Sequence, residues 1–118
     1  MKKKYKIICF DLDNVICTTK KNFYRNSKPK KKIIRFINLL HDKGYLIKIF
    51  TARFMGRYNS KKIAENKGYD FTLRQLNKWG LKFDQLIFGK PSFDIYIDDK
   101  NLEFSKNWTE SLKKHLNE

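Results

Sequence analysis

Apolar positions in this chain fall into two kinds of pattern. Short apolar runs occur at Ile7-Ile8-Cys9-Phe10, Ile47-Lys48-Ile49-Phe50, Leu86-Ile87-Phe88 and Ile95-Tyr96-Ile97. Runs of this length, rich in β-branched and aromatic residues, predict strands of a buried parallel sheet over residues 5–10, 45–50, 86–88 and 94–97. Between the first two, Ile33, Ile37 and Leu40 recur at helical spacing, and Ile34 widens the stripe. Pro29 suits the first turn of that helix and Gly44 its end. A second helix is expected from Asn59 or Ser60 to Lys67, closed by Gly68. Thr72-Leu73-Arg74-Gln75 has the spacing of a capping box and opens a third, running through Trp79 to Gly80. A last amphipathic helix begins near Asn107 or Thr109 and carries Leu112 and Leu116. Residues 14–28 have no helical period and read as a loop or short hairpin, and residues 52–58 are irregular and Arg-rich. Gly44, Gly56, Gly68 and Gly80 are evenly spaced, but their flanks do not repeat. Strands alternating with helices predict an α/β fold: a Rossmann-like three-layer α/β/α sandwich around a central, mostly parallel sheet.

The ends of the strands carry the chemistry. The first run closes on Asp11 and Asp13, the second on Thr51, the third on Gly89-Lys90 and the fourth on Asp98-Asp99. Open α/β sheets bind ligands at the carboxyl edge of their strands. Phosphoryl transfer from a monoester needs a nucleophile, a proton donor for the leaving oxygen, and cations to hold the phosphoryl group. Asp11, last on its strand, is placed to attack. Asp13, two residues on, shares its side of an extended chain and can protonate the leaving group. The Thr51 hydroxyl can hold a phosphoryl oxygen and the Lys90 ammonium can neutralise charge. Asp98 and Asp99, with Asp11, make a hard oxygen site suited to Mg²⁺. Each alone is a common surface feature; joint placement after strands in so short a chain is what makes them a candidate site.

Phe10-Asp11-Leu12-Asp13-Asn14-Val15, Phe50-Thr51, Gly89-Lys90-Pro91 and Ile97-Asp98-Asp99 together resemble the four-motif signature of the haloacid dehalogenase superfamily, over residues 6–101. The resemblance implies a Rossmann-like core and an aspartyl-phosphate intermediate. It implies Asp11 as nucleophile, Asp13 as acid/base, Thr51 as the phosphate-binding hydroxyl, Lys90 as the charge-neutralising lysine, and Asp98 and Asp99 as metal acids. The Asp13 carbonyl would be a further Mg²⁺ ligand. A second acid at Asp13 looks like the phosphatase branch. Asn14-Val15 stands where many members have Gly-Thr; Asn tolerates the same unusual backbone angles, so the turn survives without the hydroxyl. Thr51-Ala52-Arg53 and Tyr96-Ile97-Asp98-Asp99-Lys100-Asn101 look most like small phosphatases found with capsular polysaccharide biosynthesis genes. That likeness adds Ala52 and Arg53 to the candidate phosphate-binding set and points to a phosphorylated sugar or nucleotide-sugar-type substrate.

Composition narrows the setting. The 118 residues are enough for one domain with one core, 1–118, and neither residues 14–28 nor 52–89 are long enough for a cap domain. The site should then be open, serving either a bulky phosphorylated substrate or a small one closed in by a partner subunit, as in a homo-oligomer. No apolar stretch approaches the length of a membrane span. Lys6 and Asp11 interrupt the N-terminal apolar segment too early for a secretion signal, so a cytoplasmic protein is expected. Cys9 and Cys17 lack metal or redox spacing and read as a buried strand thiol and a loop thiol in a reducing compartment. His41 and His115 sit on helices among polar neighbours and are assigned no role. Twenty-seven Lys and Arg against twelve Asp and Glu give a net charge of +15, attractive to phosphate-bearing partners. A nucleic-acid end-processing phosphatase is therefore the main alternative, though no aromatic ladder interleaved with Arg appears. A receiver-like signalling module would place its acid pair before the phosphorylated aspartate, the reverse of the order here. A non-catalytic phosphate-binding subunit would have no need of the whole set.

Overall fold

The computed structural model describes residues 6–118. The expected strand start at Tyr5 and the basic run Lys2-Lys3-Lys4 lie outside the described residues. Three parallel strands form the central sheet: β1 (Ile7–Asp11), then β4 (Leu46–Thr51), then β5 (Gln85–Phe88), in the order β1-β4-β5. Between β1 and β4 the chain makes a small antiparallel hairpin, β2 (Cys17–Thr18) with β3 (Lys28–Pro29), followed by α1 (Lys31–Asp42). After β4 come a single turn, α2 (Met55–Tyr58), and α3 (Lys61–Lys78); α4 (Trp108–Leu116) ends the chain. This is a parallel sheet with flanking helices, the Rossmann-like α/β class expected from the alternation of patterns.

Register explains which side chains are buried. Phe10 pairs with Ile49 and Ile49 with Leu86, so these in-register residues share a sheet face. That face holds the core: Phe10, Ile47, Ile49, Leu86 and Phe88, covered by Ile34, Ile37 and Leu40 of α1 and Ala64 and Leu76 of α3. Trp108 of α4 packs its ring 6.1 Å from both Phe10 and Phe36. Burial along β1 and β4 alternates instead of being continuous, and Ile7, Cys9 and Leu46 on the other face are exposed. The two cysteines therefore exchange the expected environments: Cys9 is exposed and Cys17 is buried.

Three expectations change. Gly68 does not end a helix. It lies inside one continuous helix, α3, because its missing side chain is a packing slot: a Cβ there would stand 2.4 Å from Cε2 of Phe54. Thr72 and Gln75 accordingly sit mid-helix, three residues apart on one face, and form no cap. The fourth strand does not form either. Residues 94–97 make no sheet ladder, and Ile95 and Ile97 are 80% and 93% exposed. Beside them Phe93 stacks on Tyr96 with centroids 4.9 Å apart. Both rings lie about the Lys90 ammonium, at 5.5 and 5.4 Å. The other boundaries fall within a residue or two of expectation, including Ser60 as the cap of α3, its hydroxyl accepting from the Ile63 N–H at 3.3 Å. Among the described residues no helix is long and apolar enough to cross a membrane.

Candidate active site

Parallel strands bring their carboxyl ends to one rim, and three of the four expected groups meet there. Asp11 is the last residue of β1. Its Oδ1 accepts the Leu12 N–H at 2.9 Å and its Oδ2 lies 3.6 Å from the Lys90 ammonium. Burial raises the Asp11 carboxyl above its ordinary value, and the Lys90 charge opposes the shift. Lys90 reaches the rim because Gly89 turns the chain at φ +100°, where a Cβ would meet Lys61 at 2.9 Å. The Lys90 N–H donates to the Thr51 carbonyl at 3.2 Å, fastening the end of β5 to that of β4.

Three residues beyond Asp11, the chain turns through Asn14 at φ 66°, the left-handed conformation that Asn tolerates. The Asn14 N–H donates to the Cys17 carbonyl at 2.7 Å and its side-chain Oδ1 accepts the Thr19 N–H at 3.1 Å. This turn presents Asp13 to a dense set of donors. Arg53 grips it bidentately, Nε to Oδ2 at 3.0 Å and Nη2 to Oδ1 at 2.9 Å. The Thr19 hydroxyl donates to Oδ1 at 2.6 Å.

Arg53 is the largest fully buried side chain among the described residues. Its Nη1 donates to Gln75 Oε1 at 2.7 Å and Thr72 Oγ1 at 3.3 Å, and its guanidinium stacks 4.8 Å from the Tyr24 ring. Arg53 was a candidate for touching the substrate phosphate; the structure gives its guanidinium to Asp13 and α3 instead. Thr51 is also fully buried, its Oγ1 accepting the Arg53 N–H at 3.1 Å, so it braces the turn that aims Arg53. Ala52 is half-buried, its carbonyl accepting the Met55 N–H at 3.0 Å. Thr19, Ser27, Tyr24, Thr72 and Gln75 are site-supporting residues that sequence reasoning missed. Only the i, i+3 pair Thr72 and Gln75 left a signal, and it read as a helix cap.

Asp98 and Asp99 are not brought to Asp11. They lie on the exposed segment after residues 94–97, with Asp98 accepting from the Tyr96 hydroxyl at 3.1 Å and the Lys100 N–H at 2.9 Å. The Lys100 N–H, more than any other neighbour, lowers the Asp98 carboxyl below its ordinary value. Among the described residues no three acids, histidines or cysteines gather as a metal site. The charged groups that the rim brings together are Asp11, Asp13 and Lys90.

Solved structures share this α/β fold. A crystal structure of an MCSG target from Vibrio cholerae matches at TM-score 0.75 and 25% identity, covering 93% of this chain and 98% of that one. The Pnkp1/Rnl/Hen1 RNA repair complex matches at TM-score 0.53 and 15% identity, over 96% of this chain and 32% of that one. The D,D-heptose 1,7-bisphosphate phosphatase of B. bronchiseptica, complexed with magnesium and phosphate, matches at 0.51 and 15%, over 96% and 64%. No protein-family model and no curated protein matches the sequence.

Proposed function

We propose that this protein is a phosphomonoesterase of the haloacid dehalogenase type, working through an aspartyl-phosphate. The observation that supports it best is the pair of unlike carboxylates at the end of β1: Asp11 facing an ammonium at 3.6 Å, and Asp13 fixed by a buried guanidinium. An Asp11 oxygen attacks phosphorus, the new O–P bond forming as the bond to the leaving oxygen breaks. Asp13 gives that oxygen its proton. Water then attacks the aspartyl-phosphate, Asp13 takes a proton from it, and inorganic phosphate leaves with Asp11 regenerated. Lys90 offsets charge on the phosphoryl oxygens throughout. Mg²⁺ is the proposed cation, with Asp98, Asp99 and the Asp13 carbonyl as its proposed further ligands beside Asp11.

The proposed substrate is a phosphorylated sugar or nucleotide-sugar-type intermediate of surface polysaccharide biosynthesis, acted on in the cytoplasm by a single, capless domain. A second reading, a phosphatase acting on nucleic-acid or nucleotide ends, is favoured by the +15 net charge and by the fold shared with an RNA repair complex. Asp11→Asn tests the chemistry both share. Phosphate release should fall by roughly 10³-fold or more with the circular dichroism spectrum unchanged. Turnover close to that of the wild type removes Asp11 from the role of nucleophile.

A further inference from the structure

Beside the rim lies a cavity of about 480 Å³, within the range of small-molecule sites. Its wall is aromatic and cationic: Phe23, Tyr24, Phe54 and Phe71, with Arg25 and Lys67. Asn22 and Asn26 add amides, and no carboxylate lines it among the described residues. Neither Arg25 nor Lys67 pairs with an acid among the described residues. Phe23 is 61% exposed, which core packing does not explain. The wall is held in shape. Gln75 Nε2 donates to the Tyr24 carbonyl at 2.8 Å, and the Tyr24 ring packs 5.0 Å from Phe54. The cavity is also next to the chemistry, since the guanidinium that grips Asp13 stacks on the Tyr24 ring at 4.8 Å and lies 5.9 Å from Phe71. One guanidinium layer separates Asp13 from the cavity wall.

We propose that this cavity binds a nucleoside phosphate, its base against the exposed Phe23 ring and its phosphate between Arg25 and Lys67, beside the reacting centre and not in it. The proposal concerns binding and does not rest on the phosphatase reading. Aromatic faces stack planar bases whatever their identity. Two cations without acid partners suit a phosphate, whereas sugar hydroxyls are commonly held by carboxylates, absent from this wall. A terminal nucleotide of a nucleic acid and a free nucleotide present the same chemistry.

Two measurements test it. With the wild type, a nucleoside monophosphate should bind about tenfold or more tightly than ringless glycerol phosphate by calorimetry, and Phe23→Ala should remove most of that preference. Equal affinity for the two, or a preference unchanged in both Phe23→Ala and Arg25→Gln, overturns the proposal. Separately, calorimetric binding of a nucleoside monophosphate to Asp11→Asn protein should weaken about tenfold when Phe23→Ala is added. Absence of binding there overturns the subsite. A 3′-phosphorylated oligonucleotide bound more tightly than the mononucleotide identifies a nucleic-acid end as the source; equal affinity identifies the free nucleotide.

Discussion

Two aspartates separated by one residue have different surroundings, and their proposed roles call for different tests. Asp11 has an ammonium at 3.6 Å and half-open access; Asp13 has its oxygens occupied by Arg53 and Thr19. Asp13→Asn should therefore slow hydrolysis of esters with poor leaving groups such as sugar alkoxides by about 10²–10⁴-fold, and aryl phosphates less. Equal losses on both would remove Asp13 from proton transfer. Arg53→Met removes the partner of a carboxylate and two buried acceptors together, and should cost about 3–5 kcal/mol in urea denaturation. It should reproduce the leaving-group dependence of Asp13→Asn, a pattern that lost stability alone does not produce. Asp11 makes a pH prediction. Its carboxyl is raised in the folded protein above the ordinary 3.8, so the native state holds its proton to higher pH than the unfolded chain does. Stability attributable to this group is thus fullest below the unfolded value and falls as pH rises through the folded one. In metal-free buffer, Asp11→Asn should be at least as stable as wild type at pH 7, the difference shrinking as pH falls through the raised folded value and gone below about 4. A variant less stable at pH 7 than at pH 4, relative to wild type, contradicts the sign.

At the scale of elements, α3 decides how the site is assembled. It runs unbroken from Lys61 to Lys78, presenting Thr72 and Gln75 to Arg53 and Gly68 to Phe54. In an exposed helix Gly→Ala stabilises by up to about 1 kcal/mol. At Gly68 the new methyl would press on Phe54 and come 3.2 Å from Phe88, so overpacking outweighs propensity. Gly68→Ala should destabilise by about 1–3 kcal/mol, and Phe54→Ala should abolish that penalty in a double-mutant cycle. Additive effects of the two substitutions would mean that the ring does not fill the slot. The β2–β3 hairpin has the complementary duty: it carries Thr19 and Ser27 to Asp13 and Arg53, the Thr19 and Ser27 hydroxyls 2.6 Å apart.

For the molecule as a whole, the rim gathers Asp11, Asp13 and Lys90 but leaves Asp98 and Asp99 outside. If Mg²⁺ completes the site as proposed, chelator should abolish phosphate release and added Mg²⁺ restore it, with Asp98→Asn raising the Mg²⁺ concentration needed. Full activity in chelator would show that the three-residue rim is sufficient. The described inserts are a hairpin of two-residue strands and a single turn before α3. A second copy of the chain closing the rim over small substrates is the proposed arrangement, which light scattering with and without substrate would detect.

The sequence by itself determined the alternation of strands and helices, the placement of Asp11 at a strand end and Lys90 after another, and the turn at Asn14. These follow from short-range facts: apolar period, β-branching, and one residue's tolerance of positive φ. It did not determine what Gly68, Thr72, Arg53 and the 94–97 segment would do. A glycine in a helical pattern is a terminus unless a distant ring needs the space, and Thr72 with Gln75 is a cap unless a guanidinium lies over the helix. Arg53 reads as a solvated or substrate-facing cation until the carboxylate of Asp13, forty residues earlier, is seen to claim it. For residues 94–97, β-like alternation specifies a strand only where a sheet edge pairs with it, and here none does. In each case partners far apart in the chain meet only in three dimensions, and the tertiary structure decided the outcome.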